Sequence, residues 1–371
     1  MKFIVGLEGI VPILVAAFFI TAILSIILTP IVRSAAQRSG AVDRPNHRRV
    51  NTLPVPRGGG IAIVVAFLIV ALGEVVLASQ NQLISVPIPA RGGELVALFL
   101  GGAAAAAIGA IDDYLDLRAR WQLVGQVVLA LGAVVLGINV GGISNPFGPG
   151  TIAFGGAFAA AFAVLWIVGM INSINFIDGL DGLSSGISLI AAVTLGTLSL
   201  TTQVGQPFVA ILCFTLAGAL LGFLRWNFHP ASIFIGTSGV MFVGYTLALL
   251  AILGTAKVAV ALLVLGVPII DTFWIIVRRV LSGHSPFTPD RGHIHHRLLD
   301  VGLSHRQTVL LIYLICACLG GLSLFLSGAG QVYAFLGVVV GFGLILYVLT
   351  HGEEREALEA DTYEESAGVS R

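Results

Sequence analysis

The chain has 371 residues, no net formal charge, a mean hydropathy of +1.00, 57% hydrophobic residues and only 10% charged ones. A soluble domain carries about 25% charge, so this chain has too few ionisable side chains to cover itself in water, and the bilayer is its solvent. A soluble enzyme and a nucleic-acid-binding module are both excluded.

A transmembrane helix needs about 20 apolar residues. About eleven runs qualify: 9–32, 59–78, 95–111, 122–140, 155–171, 183–200, 207–224, 239–253, 258–277, 308–327 and 332–349. The fold class is therefore an all-α integral membrane protein, a bundle of about eleven transmembrane helices. Residues 1–350 form one polytopic domain, and the acidic tail 351–371 reads as a solvated, mobile end. The first run is too long, and followed by too many others, to be a cleaved signal peptide. Small-residue stretches such as "GGAAAAAIGA" (101–110) suit close helix approach in lipid. Cys213, Cys316 and Cys318 all lie in apolar runs and read as buried small hydrophobes.

Sixteen of the nineteen Lys and Arg fall in the odd-numbered connections and the C-terminal tail. The positive-inside rule then places the N-terminus outside and the C-terminus in the cytoplasm. Every polar-rich motif lands on that same cytoplasmic side: "RPNHRRVNTLPVPRGGG", "IDDYLDLRARWQ", "NSINFIDGLDG", "RWNFHPASIFIGTSG" and the long basic loop containing "DRGHIHHRL". The outer loops carry almost no ionisable groups.

Asp112, Asp113 and Asp116 crowd the end of the third run. On a helix they are i,i+3 and i,i+4 neighbours and repel unless a cation offsets them; a plain solvated helix end is the bland alternative. Asn172, Asn175, Asp178 and Asp181 recur every third residue, which on a helix makes an oxygen-rich stripe. A helix cap explains one of the four, not all. His293, His295 and His296, flanked by Arg291 and Arg297, suit a phosphate or diphosphate clamp. Ordinary positive-inside basicity or a zinc site would be the alternatives, but zinc-ligand spacing is lacking. Arg57 precedes a glycine-rich run start, a common inner-face arrangement. Asp271 lies inside a run and should face the bundle interior, as structural partner or catalyst. Acidic clusters and a basic loop on one face together suggest a metal–diphosphate ligand.

The motifs "IDDYLDL", "NSINFIDGLDGL", "PVPRGGG" and "DRGHIHHRL", in this order of chemistry and spread from Arg44 to Arg306, resemble those of the polyprenyl-phosphate N-acetylhexosamine-1-phosphate transferases, glycosyltransferase family 4. "HIHHR" is similar to the branch that uses UDP-N-acetylglucosamine. The resemblance implies transfer of a sugar-1-phosphate from a UDP-sugar to polyprenyl phosphate, undecaprenyl phosphate being the expected acceptor, with release of UMP. Such a step opens a cell-wall or surface-polysaccharide pathway. It implies that Asp112 and Asp113 position or activate the lipid phosphate, and that Asp178 and Asp181 serve the nucleotide site. Asn175 would be a Mg²⁺ ligand, with Mn²⁺ as substitute. Arg57, Asn172, His293, His295, His296 and Arg297 would bind substrate. A homodimer is compatible with this reading.

The sequence departs from the family pattern at Thr237, in "IFIGTSGVMFVG", where an aspartate metal ligand is expected, and at Asn51, where many relatives have His. Thr237 raises the alternative of a catalytically impaired membrane scaffold of the same fold. A transporter is disfavoured because the polar motifs lie on one face, not at the midplane between repeated halves.

Overall fold

The computed structural model describes residues 7–43, 54–80, 92–145, 147, 150–201, 204–253, 258–281, 283, 293–326, 329–341 and 343–344. Each of the eleven apolar runs carries a helix, and the basic loop adds a short one. In chain order these are α1 (Leu7–Ser39), α2 (Gly60–Ser79), α3 (Gly92–Val96), α4 (Gly102–Leu115), α5 (Ala119–Val135), α6 (Gly156–Ile177) and α7 (Leu183–Ser199). Then follow α8 (Pro207–Asn227), α9 (Gly236–Leu253), α10 (Val258–Val264), α11 (Gly266–Leu281), α12 (Ile294–Asp300), α13 (His305–Phe325) and α14 (Ala329–Gly341). Among the described residues seven helices are long and apolar enough to cross a membrane, α3 and α4 counting as one. The tail, Asn51, Arg291 and the end of the eleventh run lie outside the described residues.

α3 passes into α4 through a π-helical turn, Ala97–Gly101. Tyr245 explains it: its hydroxyl donates to the Ala97 carbonyl at 2.9 Å, a carbonyl that a widened turn frees. The ninth run is not one uninterrupted helix. It breaks at Leu265 between α10 and α11, where Gly266 is followed by Pro268, which has no N–H to continue the ladder.

The centre of the bundle is α8 and α9, whose faces are buried nearly all round. α8 packs on α1 and α7, and α9 on α4 and α6. Lipid offers no hydrophobic driving force between helices, so close backbone approach does the work. Gly218 and Gly222, one turn apart on α8, meet the carbonyls of Phe18 and Ala22 on α1; a Cβ at either would sit 2.2 Å from the facing oxygen. Ser25 Oγ donates across the same seam to Ala219 O at 2.7 Å. The small-residue stretch 101–110 packs on α9 in the same manner, with Gly109 against Thr237 and Ser238.

Two features depart from an all-helical reading. Val42–Asp43 (β1) pairs antiparallel with Val55–Pro56 (β2), and Gly142–Ser144 (β3) with Thr151–Ala153 (β4). Cys213 and Cys316 are buried, but Cys318 is exposed: two residues beyond Cys316, it points away from the bundle on the peripheral helix α13.

Candidate active site

The first pair of motifs meets through backbone. Gly59 and Gly60 donate to the carbonyls of Phe234 and Ile235 at 2.9 and 2.8 Å, and Phe234 N donates to Pro56 O at 2.9 Å. "PVPRGGG" thereby lies beside "IFIGTSG", at the start of α9, and the end of α4 closes on both. The three clustered aspartates then separate. α4 stops at Leu115, and Asp116 caps it in the left-handed conformation, φ 46°. Its carboxylate leaves the cluster for Arg57, 2.7 Å away. Arg57 is therefore the cation that offsets this end of the cluster.

Asp112 and Asp113 are both buried. Asp112 Oδ1 accepts from Leu117 N and Gln122 Nε2, each at 2.8 Å, and Oδ2 accepts from the Thr237 hydroxyl at 2.6 Å. Asp113 accepts from the backbone N–H groups of Thr237 (2.8 Å) and Ser238 (3.1 Å). The cradle requires glycine at 236. Its φ is +71°, and a Cβ there would lie 2.7 Å from both Asp113 oxygens. Thr237 thus occupies its position as a donor that holds Asp112, where the family resemblance expects a carboxylate.

The expected oxygen stripe is not one helical face. α6 ends at Ile177, so Asp178 is its C-cap and Asp181 lies in the following turn. Asn172 stays on the helix and is turned to Gln126 Oε1 (2.6 Å) and Val168 O (2.8 Å). Asn175 is half-buried and its side chain has no hydrogen-bond partner among the described residues. Asp178 Oδ1 accepts from Ser184 Oγ at 2.5 Å. Burial pushes the Asp178 carboxyl up to about 7; the Ser184 bond opposes this, and the charges of Asp113 and Asp181 add to it. Asp178 therefore feels two other carboxylates, Asp113 from the end of α4 and Asp181 from its own turn. Gly182, at φ +80°, turns the chain into α7, and its carbonyl takes the Tyr313 hydroxyl from α13.

Asp181 accepts from Ala231 N at 3.0 Å and pairs with His229 Nδ1 at 2.8 Å. His229 and His305 stack at 4.1 Å between centroids, and Arg306 donates to the His229 carbonyl. Neither His229 nor His305 is singled out by sequence; only the spatial meeting of the α8–α9 connection with the start of α13 gives them a role.

The histidine loop is anchored from below by Asp271, 1% exposed on α11. Its Oδ2 pairs with His293 Nδ1 at 2.7 Å, and Oδ1 accepts from Ile294 N at 2.9 Å. Asp271 is thus a structural partner of this loop, and its bond directs His293 Nε2 away from α11. His295 is 1% exposed and packs on Gly179, where a Cβ would sit 2.1 Å from its Nε2. Neither ring nitrogen of His295 has a hydrogen-bond partner among the described residues. Burial holds its basicity well below the usual imidazole range, and the neighbouring imidazoles of His296, His293 and His305 lower it further. His295 is thus a neutral donor–acceptor at the floor of the loop, which disfavours plain basicity as the reason for this imidazole. Arg297 is buried beside it, and His296 stacks obliquely on His295 at 4.4 Å.

All five polar connections therefore meet at one end of the bundle. The family model for glycosyl transferase family 4 matches residues 95–255. A Bacillus subtilis (strain 168) protein described as a probable undecaprenyl-phosphate N-acetylglucosaminyl 1-phosphate transferase is 35% identical over 81% of this chain and 82% of its own length. The decaprenyl-phosphate N-acetylglucosaminephosphotransferase of Mycobacterium tuberculosis (strain CDC 1551 / Oshkosh) is 34% identical over 90% and 88%. The undecaprenyl-phosphate alpha-N-acetylglucosaminyl 1-phosphate transferase of Salmonella typhi is 30% identical over 78% of each. The chain belongs to glycosyl transferase family 4, as a multi-pass membrane member.

Proposed function

We propose that the chain transfers N-acetylglucosamine-1-phosphate from UDP-N-acetylglucosamine to a polyprenyl phosphate, releasing UMP. The observation that carries this reading is the meeting of Asp112, Asp113, Asp178 and Asp181 with the Asp271-anchored histidine loop at one end of the bundle. The printed names of relatives matching over most of the chain support the sugar and the acceptor. The Lys and Arg distribution supports a cytoplasmic site, an outside N-terminus and a cytoplasmic C-terminus.

A phosphate monoester has a second pKa near 6, so the acceptor is largely dianionic at neutral pH and needs no strong base. The work left to the protein is alignment and charge control. The five hydrogen bonds that Asp112 and Asp113 accept, three from α9 and one each from Leu117 and Gln122, fix both carboxylates in place, which suits positioning the acceptor over abstracting a proton. The Arg297 guanidinium and the ring nitrogens of His295, which have no partner among the described residues, would take the sugar nucleotide's diphosphate. Asn175 and Asp178, whose carboxyl the charges of Asp113 and Asp181 already push up, would offer the hard oxygen donors that Mg²⁺ takes. When bound, the cation would neutralise charge on the diphosphate.

The test is transfer of radiolabel from UDP-N-acetylglucosamine to polyprenyl phosphate by purified protein. A lipid-linked product forming with Mg²⁺ and not with EDTA is the expected result. Its absence across Mg²⁺ and Mn²⁺ concentrations refutes the proposal.

A further inference from the structure

Asp181, His229 and His305 come from three separate connections, and one ligand atom of each lies within 4.8 Å of the other two. Two imidazoles and one carboxylate are not a Mg²⁺ set, which wants oxygen. They are a borderline set, suited to Zn²⁺, Co²⁺ or Ni²⁺.

The cluster also carries an unfilled demand. Both ring nitrogens of His305 are shielded from solvent, and neither makes a hydrogen bond of ordinary geometry with a described residue, although the Asp181 backbone lies beside the ring. The stack on His229 is nearly parallel, at 21°, so one ring must turn out of the stack for both in-plane lone pairs to face a common point with the Asp181 carboxylate. Ligand atoms around zinc stand about 3.3 Å apart for bond lengths of about 2.0–2.2 Å. Closing the set to that spacing needs shifts of about 1 Å, within the reach of side-chain rotation. The backbone under the cluster is held: Arg306 grips the His229 carbonyl, and Ala231 N grips Asp181.

We propose that Asp181, His229 and His305 form a second cation site, selective for a first-row transition ion of the Zn²⁺ class over Mg²⁺. Zinc at this site withdraws Asp181 from the nucleotide, so it inhibits transfer in a way that added Mg²⁺ does not reverse; this consequence, unlike the binding itself, rests on the reading of Asp181 given above. The remaining coordination positions are left to water or to an oxygen of the nucleotide.

The experiment uses full-length protein in detergent, without a histidine tag, stripped with EDTA and exchanged into buffer with excess Mg²⁺. Calorimetry with Zn²⁺ and visible absorption with Co²⁺ read binding in the absence of substrate. One Zn²⁺ per chain is expected, with at least a tenfold loss of affinity in both His229→Gln and His305→Gln. Monodispersity on size exclusion establishes that each variant is folded, and His305→Asn stands in if His305→Gln is not. Unchanged binding in folded variants overturns the proposal, as does an absence of binding in the native protein. Zn²⁺ binding that survives in both and disappears in His293→Gln/His295→Gln/His296→Gln assigns the metal to the histidine loop and also overturns it. Because binding is read without turnover, failure of the transferase reading leaves this result standing, and the converse holds too. If transfer is confirmed, micromolar Zn²⁺ should inhibit the native protein and not His305→Gln.

Discussion

Thr237→Asp restores the carboxylate that the family pattern expects, and the structure sets its cost. The Thr237 hydroxyl lies 2.6 Å from Asp112 Oδ2, so the new carboxylate would stand about 3 Å from an existing one. At an effective dielectric of about 20 the repulsion is about 5 kcal/mol. Proton uptake limits this: raising one carboxylate from about 3.9 to 7 costs about 4 kcal/mol at neutral pH. The substitution also removes the donor to Asp112, a charge-assisted bond of about 1.5–3 kcal/mol. Without divalent cation the variant should therefore be clearly less stable than native protein. A cation between the two carboxylates cancels most of the repulsion, so Mg²⁺ should raise the variant's melting temperature much more than the native one. In transfer assays Thr237→Asp should reach half-maximal rate at lower Mg²⁺. Thr237→Val is the control, since it loses the donor without adding charge and should gain no Mg²⁺ dependence. Equal Mg²⁺ response in native protein, Thr237→Asp and Thr237→Val would refute the reasoning.

Asp178 is an acid whose pKa is raised to about 7 in the metal-free fold, so the native state holds a proton that the unfolded chain has lost. Metal-free stability should fall as pH rises from about 4 to about 7, and Mg²⁺ affinity should rise through about pH 7; Asp178→Asn should flatten both, read by thermal unfolding and metal titration. The same variant, and Asp181→Asn, should lower transfer at least about tenfold, or about 1.4 kcal/mol of barrier, while remaining monodisperse; full turnover would make the turn merely structural. Gly179→Ala places a methyl 2.1 Å from His295 Nε2 and should raise KM for the UDP-sugar more than for polyprenyl phosphate. In a cysteine-free background, a cysteine at exposed Ser304 should react only with membrane-permeant maleimide in intact cells, and one at Phe147, 90% exposed, with an impermeant reagent; the reverse pattern would invert the proposed topology.

The spans were legible because lipid demands a long apolar run for each, and all eleven runs carry helix. The interruption at Leu265 is visible in retrospect from Gly266 and Pro268, but the π-turn at Ala97–Gly101 depends on Tyr245, far away in sequence. The site's residue types were legible too, since carboxylates and imidazoles stand out in a chain with so few charges. Their partners were not. Gly179 and Gly182 in "NSINFIDGLDG" mark a weak point for the helix, but nothing there says that Asp181 finds His229. The burial that keeps the His295 imidazole neutral was likewise invisible in "HIHHR". The pairing of Arg57 with Asp116 needed the backbone contact between residues 56–60 and 234–235, a long-range fact absent from either motif.

The connection from His229 to Thr237 has a mechanical consequence. One end touches Asp181, and the other holds Asp112 and Asp113. Between them the strand is stiff: Ser232 N bonds Trp226 O, Asn227 Nδ2 bonds Ile233 O, and Ser185 Oγ bonds Asn227 Oδ1. On the proposed reading, such a segment would couple the residues assigned to the nucleotide to those assigned to the lipid phosphate. A nucleotide that displaced His229 would then shift the cradle around Asp113, and thermodynamic linkage would make the effect equal in both directions.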